Sequence, residues 1–263
     1  MNRVERLGAV LDLLAEGKQV EVDQIVERLG VSPATARRDL DALAEQQLLT
    51  RTRGGAVAHS VAYDLPIRYK NQHNPSAKAA IARAASAMVP RGAVVGLCGG
   101  TTATAIAAAL MSRADIMAPA TDPGLTVVTN ALNIAMQLAV RPQIKTVVSG
   151  GVVHSRSYEL VGSYTNAVLE NVTLDFAFIG VNAMDHIVGP TSHDERESEV
   201  NALLASRAAR AIIVADSSKL DKRAFAAVGS RELFSTVITD SGATAAQVQS
   251  LQDAGYEVIV APQ

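Results

Sequence analysis

Two short stretches carry groups suited to gripping anions and polar edges. The first, Ser32-Pro33-Ala34-Thr35-Ala36-Arg37-Arg38, sets two hydroxyls and two guanidinium groups at the start of a prospective helix. A helix entering the DNA major groove presents its first residues, here Ser32, Thr35, Ala36, Arg37 and Arg38, to base edges, and arginine can read guanine through two parallel hydrogen bonds. Arg51 and Arg53 follow on a strand–Gly54-Gly55–strand segment, where they suit phosphate or minor-groove contact. The second stretch, Cys98-Gly99-Gly100-Thr101-Thr102, lies between an apolar run and a helical one. Glycines let backbone approach an anion, and the helix start offers free N–H groups and the positive end of its dipole. Plainer readings stand beside both. Arg37 or Arg38 could pair with Asp39, Asp41 or Glu45 in a bundle that binds protein, and Gly-Gly after a strand is often only a connection.

Helical spacing of Val4, Leu7, Leu11 and Leu14 predicts an amphipathic helix over residues 3–16, ended by Gly17-Lys18. A short helix carrying Ile25, Val26 and Leu29 follows, then a turn at Gly30. Ser32 is a favoured N-cap and Pro33 a favoured first helical residue, so a third helix runs from there to about Gln46. Residues 48–57 read as a two-stranded wing. Residues 59–75 lack periodicity and read as a linker between residues 1–58 and 76–263. Beyond it helix and strand alternate. Strands are expected at 93–97, 125–129, 144–149, 174–179, 211–215, 237–239 and 258–260, and helices at 77–88, 102–111, 131–139, 198–210 and 244–254. Continuous Val/Ile strands between helices predict a mostly parallel sheet covered on both faces, hence an α/β fold behind a winged helix-turn-helix.

Composition narrows the chemistry. The 263 residues are 48% apolar and 19% charged, ordinary for a globular chain. The formal net charge of −2 means that a nucleic-acid surface must be a local basic patch, and Arg28, Arg37, Arg38, Arg51 and Arg53 supply one. Aromatics are 3% with no Trp, which disfavours binding of single strands by base stacking. A single cysteine cannot form an internal disulfide, and nothing indicates a metal site or a cofactor. The charged N-terminus is not a signal peptide and no apolar run would span a bilayer, so a soluble cytoplasmic protein is expected.

The run Val31-Ser32-Pro33-Ala34-Thr35-Ala36-Arg37-Arg38-Asp39-Leu40-Asp41-Ala42-Leu43, with Leu48-Leu49-Thr50-Arg51-Thr52-Arg53-Gly54-Gly55-Ala56, closely resembles the DNA-binding module of the DeoR family of bacterial regulators. Arg68, Lys78 to Ala82, Gly100-Thr101-Thr102, Val128-Thr129-Asn130, Gly150-Gly151, Phe178-Ile179-Gly180 and Asp216 to Lys219 fall in the order seen in the family's C-terminal domain. That domain is similar in fold to ribose-phosphate isomerase and CoA-transferase-like proteins. Together the resemblances cover roughly residues 3–240. Four positions depart from the family pattern: Ala36 for isoleucine, Gln47 for glycine, Arg53 for histidine and Cys98 for aspartate. A thiol is a poor partner for sugar hydroxyls, so Cys98 implies either altered effector chemistry or an inert buried side chain.

The resemblance implies a repressor of carbohydrate-catabolism genes, acting on a double-stranded DNA operator as a homodimer or homotetramer and answering to a phosphorylated sugar. The phosphate would sit on Gly99, Gly100, Thr101 and Thr102. Lys78 and Lys219 match family lysines that could neutralise it, Glu197 matches a family glutamate, and Asn130 lies at a strand's C-terminal end, where ligands of open α/β sheets bind. Glu197 could equally be a helix-start charge. The alternatives are an isomerase-like or CoA-transferase-like enzyme with an accessory DNA module, or a protein-binding adaptor. The enzyme would need an acid/base pair, for which Asp175, Asp185 and Glu197 are candidates without a marked spacing.

Overall fold

The computed structural model describes residues 1–17, 19–46, 48–58 and 73–262, without the side chains of Ala15, Glu16 and Ala58. Most of the expected linker, together with Gln47 and Arg68, lies outside these residues. The chain divides into two compact units, Met1–His73 and Asn74–Gln263.

The first unit runs α1 (Arg3–Gly17), β1 (Gln19–Glu21), α2 (Val22–Leu29), α3 (Pro33–Glu45), β2 (Leu49–Arg51) and β3 (Gly55–Ala58). Leu7, Val10, Leu11 and Leu14 bury one face of α1 against Ile25, Leu40, Leu43 and Leu49, whereas Val4 is exposed. The Ser32 side chain caps α3 by accepting from Thr35 N–H, and Gly30 ends α2 in the left-handed region at φ 64°. Strand β1, which the sequence pattern did not show, pairs antiparallel with β3, which pairs antiparallel with β2. This pairing explains Gly55, where a Cβ would come within 1.9 Å of Val20 O. The glycine is therefore required by the close approach of β1.

The second unit begins with α4 (Pro75–Ala87), β4 (Val94–Leu97), α5 (Thr101–Met111), α6 (Ala114–Met117), β5 (Leu125–Thr129), α7 (Leu132–Leu138) and β6 (Ile144–Val148). A hairpin of β7 (Val152–His154) and β8 (Glu159–Val161) follows, then α8 (Ser163–Leu169) and β9 (Leu174–Gly180). The rest is β10 (Ala183–Asp185), β11 (Gly189–Ser192), α9 (Glu195–Ser206), β12 (Ala208–Val214), a 3-10 turn at Ser217–Lys219, β13 (Ala226–Ala227), β14 (Thr236–Asp240), α10 (Ala245–Asp253) and β15 (Glu257–Ala261). Seven strands form one sheet in the order β15-β14-β12-β9-β4-β5-β6, and every pairing in it is parallel. Every residue of β14 is buried, as both-face coverage requires.

Helix α9 starts and ends earlier than expected. Asp194 caps it by accepting from Arg196 and Glu197 N–H, and Ala208 to Arg210 already belong to β12. From β4 the chain steps outward through β5 and β6, and from β9 it steps the other way through β12, β14 and β15. The order therefore reverses between β4 and β9. Helices diverge at such a reversal and leave a crevice beyond the strands' carboxyl ends.

Candidate functional site

On the first unit, Ser32, Arg37 and Arg38 are exposed at the start of α3, and Arg53 is exposed at the wing tip. Arg37 and Arg38 form no ion pair among the described residues. The acids beside them are otherwise engaged: buried Asp39 accepts two hydrogen bonds from Arg6, and Asp41 accepts from Arg51 Nε at 2.8 Å. Two sequence-level assignments are corrected here. Ala36 is 0% exposed and packs in the core, so it cannot face a base. Arg51 also donates to Gly55 O at 2.5 Å, which makes it a brace between α3 and the wing rather than an open phosphate contact. Thr35 is partly exposed, with its hydroxyl 2.9 Å from that of Ser32.

On the second unit, the residues singled out from sequence gather at the carboxyl edge of the sheet. Gly99 and Gly100 follow β4, Asn130 follows β5, Val181 follows β9 and Lys219 closes the turn after β12. Gly100 adopts φ 96°, ψ 168°, a conformation that strongly favours glycine, and it directs the chain into α5. No described side chain caps the first turn of α5. Lys219 Nζ donates to Val181 O at 2.6 Å, tying the loop after β12 to the loop after β9. Buried Asp216 accepts from Asn74 Nδ2 at 3.0 Å and Ser218 N–H at 3.2 Å. Burial pushes its carboxyl up, but Ser218, Lys219, Asn74 and Lys78 together bring it below the ordinary range. Lys78, buried on α4, thus acts on the same cluster.

Cys98 is at the crevice but unavailable to a ligand. It is 0% exposed, its Sγ accepts from Gly180 N–H at 3.0 Å, and its thiol donates to Gly99 O at 3.1 Å. Burial, then the charge of Glu159, pushes the thiol far above its ordinary range. Cys98 therefore anchors the loop as an uncharged thiol and leaves the set of ligand contacts. Glu197 is committed elsewhere, with Oε1 2.6 Å from His154 Nδ1. Helix-start capping falls to Asp194, whose carboxyl burial raises while Arg196, the Glu197 N–H and His154 lower it more. Glu159, which the sequence did not single out, lies over Gly99. Its Oε2 accepts from Asn130 Nδ2 at 3.0 Å. Among the described residues the Thr102 hydroxyl and Asn130 Oδ1 are buried without a hydrogen-bond partner.

Residues 6–61 match the model of the DeoR-like helix-turn-helix domain, and residues 73–241 match that of the DeoR C terminal sensor domain. The chain belongs to the DeoR family. It is 29% identical over 253 residues to the glycerol-3-phosphate regulon repressor of Escherichia coli, with 96% of this chain and 97% of that one aligned. It is 30% identical to the HTH-type transcriptional regulator GlpR of Haloferax volcanii, over 97% of this chain and 96% of that one. The lactose phosphotransferase system repressor of Lactococcus lactis is 30% identical over 92% of each chain. Among solved structures, ribose 5-phosphate isomerase A of Methanocaldococcus jannaschii aligns over 57% of this chain and 56% of its own, at 18% identity and a TM-score of 0.42.

This DeoR-family member is accordingly a DNA-binding transcriptional regulator rather than an enzyme. The carboxylates considered for acid/base chemistry are each engaged by protein groups. Asp175 accepts from Val94 N–H at the opposite edge of the sheet, and Asp185 pairs with Arg223. Among the described residues no His/Cys/Asp/Glu group could hold a metal ion, and no helix is long and apolar enough to cross a membrane.

Proposed function

We propose that this regulator is a repressor of carbohydrate-catabolism genes, released from its operator by a phosphorylated sugar. The reading rests on one observation above the others. The uncapped first turn of α5, entered through Gly100, lies beside the point where strand order reverses. Gly99, Gly100, Thr101 and Thr102 would hold the phosphate, and Lys78 and Lys219 would neutralise its charge. Asn130 would face the sugar, and Glu197 would shape that wall through His154. Ser32, Thr35, Arg37 and Arg38 would meet base edges, and Arg53 a phosphate.

Relatives named as repressors of a glycerol-3-phosphate regulon and of a lactose phosphotransferase system support the effector class. The protein would act as a homodimer or homotetramer on paired half-sites about 34 Å apart or a multiple of that. Exposed Met136, Val140, Val152 and Val153, along the stretch from α7 through edge strand β6 to β7, supply apolar surface for a second copy. Fluorescence anisotropy on a labelled fragment from upstream of its own gene, titrated with pentose and hexose phosphates, tests the proposal. One compound should release the DNA, and Thr101→Ala should abolish release while leaving DNA affinity intact. Binding of DNA that no sugar phosphate alters would remove the effector assignment.

A further inference from the structure

Helix α3 carries two exposed arginines and two carboxylates in the run Arg37-Arg38-Asp39-Leu40-Asp41. Residues three and four apart are neighbours on a helix surface, and oppositely charged ones attract. Asp41 is therefore the natural partner of Arg38 at three positions and of Arg37 at four. Glu45 lies seven and eight positions on, out of that reach. Yet Asp41 bonds neither arginine of its own helix. Its Oδ1 accepts at 2.8 Å from Nε of Arg51, which stands on β2. The other carboxylate, Asp39, is buried and taken by Arg6. Two features explain why Arg51 wins the contest for Asp41. The register Arg51↔Ala56 and the bond to Gly55 O hold its guanidinium in place, so little freedom is lost on pairing. Within α3 the basic residues precede the acid, which is the weaker order for a helical ion pair.

Resting on the assignment of Arg37 and Arg38 to the operator, we propose that Arg51 is a positioning residue for DNA recognition: by occupying Asp41 it keeps the two arginines of α3 free to meet the DNA. Without Arg51, Asp41 stands unpaired with its side chain 59% exposed, one helical turn behind the reading arginines. It would draw them back along α3 and would repel DNA phosphates. The wing thus contributes to recognition through a group that does not itself touch DNA.

Fluorescence anisotropy of the full-length protein on a labelled fragment from upstream of its own gene tests this, at low salt and well below the melting temperature of every variant. Arg51→Ala should weaken DNA binding about two- to fivefold, the scale of an exposed ion pair, and the loss should shrink as salt is raised. Its melting temperature should fall as well, because the bond to Gly55 O is lost. Adding Asp41→Ala to Arg51→Ala should recover most of the affinity while the melting temperature stays low. Asp41→Ala alone should hold or raise affinity. A brace with no further part in recognition requires the opposite, since either substitution breaks the same pair. Glu45→Gln added to Arg51→Ala restores the same net charge at a position out of reach of Arg37 and Arg38, and should recover little. Unchanged affinity in Arg51→Ala overturns the inference. A double variant Arg51→Ala/Asp41→Ala that stays weak overturns it too and assigns the loss to displacement of the wing. Equal recovery by Glu45→Gln reduces the effect to net charge and also overturns it. If Arg37→Ala combined with Arg38→Ala leaves binding unchanged, the base-edge reading and the inference fall together.

Discussion

Arginines of similar standing in the sequence separate in the structure by what their guanidinium groups already hold. Arg37 and Arg38 are exposed, while Arg51 is bonded to Asp41 and Gly55. Arg38→Ala or Arg37→Ala should therefore weaken operator binding by about 1–3 kcal/mol and relax base preference, without changing the melting temperature. Arg51→Ala should instead lower the melting temperature, which differential scanning calorimetry would show. A loss of operator affinity in Arg51→Ala at unchanged stability would contradict the brace assignment. Asp39 belongs with Arg51 in kind. Its buried carboxylate is held by Arg6, and Asp39→Ala should cost about 1–3 kcal/mol of stability in a denaturant titration. Pairing is what sequence conceals: Arg6 and Asp39 are 33 positions apart, and no local pattern joins them. Glu159 was missed for the same reason, since it meets Gly99 only once β8 and the loop after β4 are both in place.

At the scale of elements, the parts that follow local rules were legible. Ser32-Pro33 marked the start of α3, and α10 begins where the helical pattern placed it, closed by a capping box of Thr244 and Gln247. The core strands announced themselves by their Val/Ile runs. The short strands β1, β7, β8, β10, β11 and β13 did not, because two to four residues carry too little alternation to stand out. The boundary between α9 and β12 slipped because apolar residues continue through Ala208 into the strand. Gly100 is the element-scale test of the anion cradle. Its φ of 96° is strained for any side chain, although a Cβ there would meet open space. Gly100→Ala should cost about 1–3 kcal/mol and shift the first turn of α5, so that sugar-phosphate binding falls in calorimetry by more than in Thr101→Ala. Equal binding by the alanine variant would mean that the backbone at this point does not shape the site.

For the whole molecule, the acidic groups set the pH response. Burial raises the Asp185 carboxyl, but Arg223 and the N–H groups of Val188 and Ile187 outweigh it and hold the group at about 2. Asp194 and Asp216 are also lowered from the ordinary carboxylate value of 3.8. A depressed folded-state value means stability that is present above the unfolded value and is lost as pH falls through the folded one. The melting temperature should accordingly decline as pH drops from about 4 toward 2, and Asp185→Asn should flatten that decline. A variant as acid-sensitive as the unmodified protein would show that Asp185 does not contribute. The two hydrophobic cores share no residue, and the proposed response to the effector is a signal from the second unit to the first.

That signal begins, on this account, with a phosphate seated on the first turn of α5. Amide hydrogen exchange at Thr101, Thr102 and Ala103, followed by NMR while a sugar phosphate releases the DNA, examines that step directly. The expected result is slowed exchange at these three amides over the same concentrations that free the operator. Release of DNA with exchange at these amides unchanged would place the effector elsewhere and contradict the account.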